Sequence, residues 1–478
     1  MMLVTQKRRK VVVVGGGITG LTAAFYLQKE ASAKELPLDI VLVESSLRLG
    51  GKIQTLRKDG FIIERGPESF FDRENYVYAL AKDLGIEQEM ITSNTGPTYV
   101  AVGSQLYPIP SSLLSGATPH VSSFITSGLF SLSGKVRAAG DFFIPRSAQN
   151  DDQPLGRFFR RRFGAEIVEN LVEPLLAGTF AGDIEQLSMR STFPQLYGLE
   201  QKYRSLLIGM KKSGTNFLSN KPNTKDKGIF QTFNNGLETL IEKLEESLLP
   251  GTVMKGVKVE EIEHGKDGTV QVVLNNFTQL KADAVIIATP FNVARKMFSK
   301  HQLLNELSTM KAATIATVTM AFNKDQLGDL DALSFFVSRN SDFSITSCTW
   351  INRKWPGTTP DDYVLLRSYI GRVGDEAIVA LSDTEIEKTV LQDLMKTIGV
   401  DGEPLMTVVS RWKNAMPQYT VGHEAKVERS KQELREHFPT VKLSGSSFEG
   451  ISIPECVEQG KNVAEEMLKE MFGDSCEK

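Results

Sequence analysis

Cysteine is scarce in this chain, with three (Cys348, Cys456 and Cys476) among 478 residues. Their spacing suits neither a metal site nor a disulfide framework, so a reducing, cytoplasmic setting is expected. Histidine is also rare, at five. No Ser/His/Asp, Cys/His or metal-ligand constellation stands out, and His423, the histidine nearest a motif, is assigned a structural role. Long apolar runs are missing. The longest, Ala312–Phe322, has eleven residues and includes three threonines, where a membrane-spanning helix needs roughly 20. The four valines after Lys7-Arg8-Arg9-Lys10 stop at glycines without a cleavage site. They read as a first strand behind a basic tail and not as a signal peptide. No transmembrane segment is expected, and peripheral membrane contact at most. The chain also lacks an excess of one charge: the formal net charge is −3, which gives no reason to invoke nucleic acid. Its length exceeds what one core usually covers, so two or three domains are expected.

What is present begins at Val11-Val12-Val13-Val14, a run that reads as a buried parallel strand. Gly15, Gly16, Gly17, Ile18, Thr19 and Gly20 follow, with helical spacing from Leu21 onward. Gly15, Gly17 and Gly20 give the G-x-G-x-x-G spacing: one glycine for a tight turn, one for close approach of a pyrophosphate, one for helix–strand packing. The phosphates would then meet the positive end of the helix. A second strand, Asp39–Val43, ends at Glu44, whose carboxylate can accept both ribose hydroxyls, with Ser45 beside it. The set predicts a dinucleotide site.

Farther along, Gly50-Gly51-Lys52 suits a loop passing close to an anion, and Phe61–Glu64 is a short strand running into the Gly66-Pro67-Glu68-Ser69 turn. Asn75–Gly85 is spaced as a helix and Tyr99–Pro110 as a hairpin with Gly103-Ser104 at its tip. Residues 111–150 mix Ser, Gly and Pro with aromatics. Short helices in a lobe outside the bilayer are expected there, given Lys135, Arg137 and Asp141. Leu155, Phe158, Phe159, Phe163, Ile167, Leu171, Leu175 and Leu176 recur at three and four residues. They predict one amphipathic helix ending near Gly178–Asp183. Its arginines are read as a solvated face with partners such as Arg162–Glu166, over the alternative of a cationic patch for an acidic substrate. Residues 211–227 read as a mobile surface loop. Strands are expected at 256–262, 270–274 and 284–290, and antiparallel strands over 312–372. In Tyr363–Gly371, period-2 geometry puts Val364, Leu366, Ser368 and Ile370 on one face and Tyr363, Leu365, Arg367 and Tyr369 on the other. The second face suits either a pocket for a large, flat, acidic molecule or a half-exposed sheet surface. The strand–turn–helix of Val441–Cys456 repeats phosphate-handling geometry.

Only one G-x-G-x-x-G follows a strand, which favours a flavin dinucleotide over a reductase holding FAD and a nicotinamide together. Gly15–Gly20, Glu44, Arg48–Thr55, Glu64–Pro67 and Gly450…Gly460 resemble the amine-oxidase/protoporphyrinogen-oxidase superfamily of FAD enzymes. Glu173–Asp183, Met416-Pro417-Gln418-Tyr419 and Gly445–Ile451 resemble its porphyrinogen oxidases, nearest to the soluble Gram-positive type that oxidises coproporphyrinogen III to coproporphyrin III.

The resemblance implies an α/β fold. Its Rossmann-like FAD-binding domain would be assembled from discontinuous segments (residues 1–85, 228–298 and 416–478). An antiparallel-sheet substrate domain (299–415) and a helical lobe with part of the substrate domain (86–227) would complete it. It implies non-covalent FAD, with Gly15–Gly20 on the pyrophosphate and Glu44 with Ser45 on the ribose. Gly51, Lys52 and Gly66–Ser69 would lie along the flavin end. Val259, Trp412, Gly450, Ile451, Ser452 and Ile453 would complete the site. Gly178, Thr179, Arg367 and Tyr369 would face the substrate, with Arg73 near a propionate. Flavin N5 would be the hydride acceptor and no side chain an essential base. O2 would be the oxidant and H2O2 a product, in haem biosynthesis, with protoporphyrinogen IX a second substrate and transient contact with other enzymes of that pathway. An amine oxidase, a desaturase and a non-catalytic flavin-binding protein stay open as alternatives.

Overall fold

The computed structural model describes residues 8–110, 127–148, 152–213 and 228–473, with only the backbone given for 177–179. Residues 211–213, expected in the mobile loop, close a helix that runs from Leu206 to Ser213, because Leu206 and Met210 are buried in the lobe; 214–227, 111–126 and 149–151 lie outside the described residues.

The four valines form β1 (Arg9–Val14) at the centre of a five-stranded parallel sheet. It is flanked by β2 (Leu38–Glu44) and β13 (Ala284–Ile287), and β9 (Val253–Lys255) and β19 (Val441–Leu443) form the edges. A strand paired on both sides and covered on both faces has no solvent face, which is why its sequence does not alternate. Val11 and Val13 pack under α1 (Ile18–Ala33), α5 (Glu238–Ser247) and α8 (Ile453–Phe472). Val12 and Val14 pack on the other side, against the antiparallel strands β10 (Val259–His264), β11 (Val270–Leu274) and β12 (Gln279–Ala282). The sheet therefore draws its strands from widely separated parts of the chain. α8 lies close along α1 because Gly460 has no Cβ; one there would be 2.5 Å from the Thr19 carbonyl oxygen.

A second sheet has seven strands, in the order β18 (Met406–Gln418), β14 (Lys311–Asn323), β17 (Tyr363–Ile370), β16 (Ile345–Trp350), β15 (Ser334–Val337), β6 (Thr98–Val102), β7 (Gln105–Pro108). Neighbours are antiparallel except β15 and β6. The period-2 split of β17 holds. Val364, Leu366 and Ile370 pack under α6 (Asp383–Ile398), while Leu365 joins a cluster with Phe61 and Ile63. Phe61 and Ile63 belong to the hairpin of β3 (Thr55–Lys58) and β4 (Phe61–Glu64), and β5 (Met90–Thr92) pairs with β8 (Gln231–Phe233). α2 (Tyr76–Asp83) falls where its spacing put it.

The lobe corrects two expectations. The periodicity from Leu155 to Leu176 is not one helix. α3 (Leu155–Phe163) stops at Gly164, whose φ of +87° leaves helical space, and a π-turn over Val168–Val172 leads into α4 (Glu173–Phe180). The apolar residues still share one core, so spacing alone could not register the break. Arg162 is not on a solvated face either. It is fully buried, donating to Asp141 (2.8 Å) and Glu200 (2.5 Å), while Glu166 accepts from the backbone and hydroxyl of Ser131. A buried guanidinium requires paired anions, and these come from other segments. Among the described residues no helix is long and apolar enough to cross a membrane.

Candidate active site

The turn between β1 and α1 shows why each glycine stands where it does. Gly15 has φ +108°, and a Cβ there would lie 2.7 Å from the Ala288 carbonyl oxygen. A Cβ at Gly20 would run into the Gly15 carbonyl. At Gly17, by contrast, a Cβ would meet nothing within 4 Å. Gly17 is the N-cap of α1, and no side chain caps the helix and no acid sits in its first turn. The helix terminus, which carries partial positive charge, therefore opens on free space at Gly17. Glu44 closes one side. Its carboxylate accepts from the N–H groups of Gly16 and Ser46, both at 2.7 Å, with the Ser45 hydroxyl at 3.2 Å. Gly50 donates to the Gly16 carbonyl at 2.8 Å, laying the Gly50-Gly51 loop on the turn. Val259 begins β10, two residues after Val257 donates to the Glu44 carbonyl at 3.0 Å.

The next group is gathered around Gly66. A Cβ there would collide with the Lys52 carbonyl and lie 3.4 Å from Trp412 Cζ2. Trp412 Nε1 donates to the Arg65 carbonyl (2.7 Å), which also accepts from Thr317 Oγ1 (3.0 Å). Lys52 and Gly66, at the two ends of one hairpin, are thus brought together with the distant Trp412. Lys52 is the unusual member. Its ammonium has one long hydrogen bond, 3.4 Å to Ser446 Oγ, and burial holds its pKa below the ordinary lysine value. A buried cation with one of three donors engaged is matched to a polar or anionic ligand.

Arg367, expected to face a substrate, is instead buried and turned onto this loop. It donates to the Gly66 carbonyl and to Glu68 Oε2 (3.2 Å), while Lys354 pairs with the other Glu68 oxygen. Burial alone would raise the Glu68 pKa, but Lys354 and Arg367 hold it below the usual carboxylate range. Lys354 carried no motif and could be found only from the fold. Tyr369 lies 4.8 Å beneath the Arg367 guanidinium, its phenol pushed up to about 12 by burial. Tyr369 belongs to a cross-strand row of polar positions, Ser347, Tyr369, Thr317 and Ser410. Ser410 Oγ in turn receives Arg65 Nε at 3.0 Å. Phe70, just after Ser69, exchanges backbone hydrogen bonds with Gln231, fixing the end of the loop.

The C-terminal turn differs from its expected phosphate-handling role. Ser452 and Glu455 form a capping box that satisfies the first turn of α8 internally. Gly450, Ile451 and Ile453 therefore contribute a packed turn and not an open helix end. His423 is structural as expected: Nε2 bonds the Phe448 carbonyl (2.8 Å), and the ring stacks on Tyr419, whose hydroxyl donates to the Ser446 carbonyl. Gly178 and Thr179 lie in the last turn of α4, their side chains outside the described atoms. Arg73 stacks over Phe71 at 5.1 Å. Its neighbour Asp72 accepts from the N–H groups of Tyr76 and Tyr78, so that acid holds α2.

A family model described as flavin containing amine oxidoreductase matches residues 18–468. The chain belongs to that family. It is 47% identical over 466 residues to the coproporphyrinogen III oxidase of Bacillus subtilis, covering 97% of this chain and 99% of that one. It is 37% identical over 470 residues to that of Staphylococcus aureus, covering 97% and 100%. A crystal structure from Exiguobacterium sp. 255-15, provisionally named a protoporphyrinogen oxidase, superposes with a TM-score of 0.86 at 34% identity, over 97% of this chain and 99% of that one. As a flavin amine oxidoreductase the protein is an oxidoreductase whose cofactor is FAD. The residues present fit it, with open space before Gly17, a carboxylate fixed at Glu44, and an under-bonded ammonium at Lys52.

Proposed function

We propose that this flavin oxidoreductase converts coproporphyrinogen III to coproporphyrin III in haem biosynthesis, with protoporphyrinogen IX a second substrate of the same site by its shared macrocycle. The observation that carries the reading is likeness along the whole chain, 47% over 97% of its length, to a coproporphyrinogen III oxidase. Aromatising the macrocycle removes six hydrogens; three O2 receive them and leave as three H2O2. When bound, FAD supplies the acceptor for each hydride.

In this reading the chain's own residues position and enclose. Gly15–Gly20 hold the pyrophosphate, Glu44 and Ser45 the ribose, and Val259 lies on the adenine side. Lys52, Gly66–Ser69, Trp412 and Gly450–Ile453 lie along the ring. Segments 1–85, 228–298 and 416–478 carry the cofactor, and 86–227 and 299–415 the substrate. Gly178, Thr179, Arg73 and Tyr369 face the macrocycle. Arg367 acts through the loop it holds, since its two terminal nitrogens donate to Gly66 and Glu68. With Tyr369 kept neutral by burial and His423 bonded to the Phe448 carbonyl, no side chain is assigned as an essential base; orientation and exclusion of water are the protein's share. The setting we assign is the cytoplasm.

Anaerobic mixing tests the reading. Adding coproporphyrinogen III to the yellow holoprotein is expected to bleach the flavin absorbance, and admitting O2 to restore it with the rise of porphyrin fluorescence. An unbleached flavin would reject the substrate and favour an amine or a silent flavoprotein.

A further inference from the structure

Beside α4, away from the Arg367 cluster, three arginines converge. Arg160 on α3 pairs with Glu185 at 2.5 Å. Arg339, just after β15, pairs with Glu173 at the start of α4. Arg372 follows Gly371 at the end of β17, and the turn it sits on is tied to α4 because Val373 N–H donates to the Ala181 carbonyl at 3.0 Å. Arg372 is half-buried, and its guanidinium makes no hydrogen bond or ion pair with any described residue. Burial, and then the like charge of Arg339, hold its pKa below the ordinary arginine value, while Asp375 and Glu173 offset this only in part. Arg160 is bonded to Glu185 and Arg339 to Glu173, while Asp375 lies near Arg372 without bonding it, which leaves the Arg372 guanidinium with its fork of donors open to a carboxylate.

We propose that Arg372 anchors one propionate carboxylate of the tetrapyrrole, and that the Glu173–Arg339 pair beside it sets its position without taking up its charge. This rests on the porphyrinogen reading above and deepens it. The macrocycle's charged groups are its propionates, and α4, which carries Gly178 and Thr179, is the element the Arg372 turn is bonded to. Nothing in the local spacing of Arg372 announced this role, since Glu173 and Arg339 reach it from distant parts of the chain.

The test uses holoenzyme with Arg372→Gln and Arg372→Lys, and two substrates, coproporphyrinogen III and its tetramethyl ester. For the free acid, Arg372→Gln is expected to raise KM about tenfold to a hundredfold with kcat nearly unchanged, the size of one charge-assisted hydrogen bond. On the ester the variant and the parent protein should have the same KM. Arg372→Lys should fall between, since an ammonium keeps the charge but loses the fork. An unchanged KM, or an equal loss on acid and ester, overturns the anchor. Should Arg372→Gln lose flavin or melt early, the parent protein must still prefer acid to ester and Arg372→Lys must narrow that preference; absence of either overturns the proposal. If the parent protein forms no fluorescent porphyrin from either compound, the porphyrinogen reading itself has failed, and turnover without the acid preference removes the anchor alone.

Discussion

Arg367, on the interior antiparallel strand β17, donates to the carbonyl oxygen of Gly66. With the bonds of Trp412 and Thr317 to the Arg65 carbonyl, it joins the seven-stranded sheet to the loop against which Lys52 and Trp412 are packed. Removing Arg367 leaves the Glu68 carboxylate to Lys354 and the Gly66 carbonyl without this donor. Arg367→Met is expected to destabilise the holoprotein by about 1–3 kcal/mol and to loosen the flavin. Chemical denaturation and the flavin-to-protein ratio check both, and an unchanged midpoint would contradict it.

The glycines of the first turn should separate by role. Gly17 has β-type dihedrals (φ −73°, ψ 176°) and open space where a Cβ would go. Gly17→Ala should therefore fold normally and bind FAD weakly. Gly20→Ala, whose methyl would meet the Gly15 carbonyl, should lose about 1–3 kcal/mol of stability even without cofactor. Melting of the apoprotein together with FAD titration distinguishes the two; equal melting losses would count against the assignment.

Lys52→Met removes a buried, under-bonded ammonium. FAD affinity is expected to fall about tenfold or more, the worth of a hydrogen bond to a charged group, while the apoprotein becomes no less stable because the desolvated charge is gone. Calorimetric titration with FAD and apoprotein melting measure the two. A variant that keeps full affinity would remove Lys52 from the site.

How much of this was legible follows from the range of the interactions. The strand, glycines and acid of residues 11–44 could be read directly, because each depends on neighbours in sequence. The two faces of Tyr363–Ile370 were legible for the same reason, since a pleat fixes them. What Arg367 does on its face was not legible, because its partner Glu68 lies 299 residues away and Lys354 meets the same carboxylate from 286 residues away. Arg162 failed for the same cause, its anions sitting at Asp141 and Glu200 and not at the i+4 position.

That burial gives a further expectation. Arg162→Met strands the carboxylate of Asp141 in the lobe and leaves Glu200 to Arg161 alone, and the loss should be about 3–5 kcal/mol. A loss below about 1 kcal/mol in urea unfolding, the range of an exposed pair, would return Arg162 to the surface.

Glu64 makes stability depend on pH. Burial pushes its carboxyl up to about 7, although the Leu237 N–H and Thr55 hydroxyl bonded to it pull the other way. The unfolded value is about 4.3, so the folded state holds the proton more tightly. Its contribution is full below about pH 4.3 and is lost as pH rises through about 7. Glu64→Gln should cancel that decline, gaining about 1–3 kcal/mol over the parent protein between pH 5 and pH 8. Parallel stability curves would contradict the burial of this acid.

The most direct test of the account is aerobic turnover of coproporphyrinogen III by the purified holoprotein, following porphyrin fluorescence and peroxide together. The expected result is coproporphyrin III with three H2O2 formed for each porphyrin, at a rate well above autoxidation. Bound flavin with no fluorescence gain over the protein-free control, or fluorescence without peroxide, would contradict it.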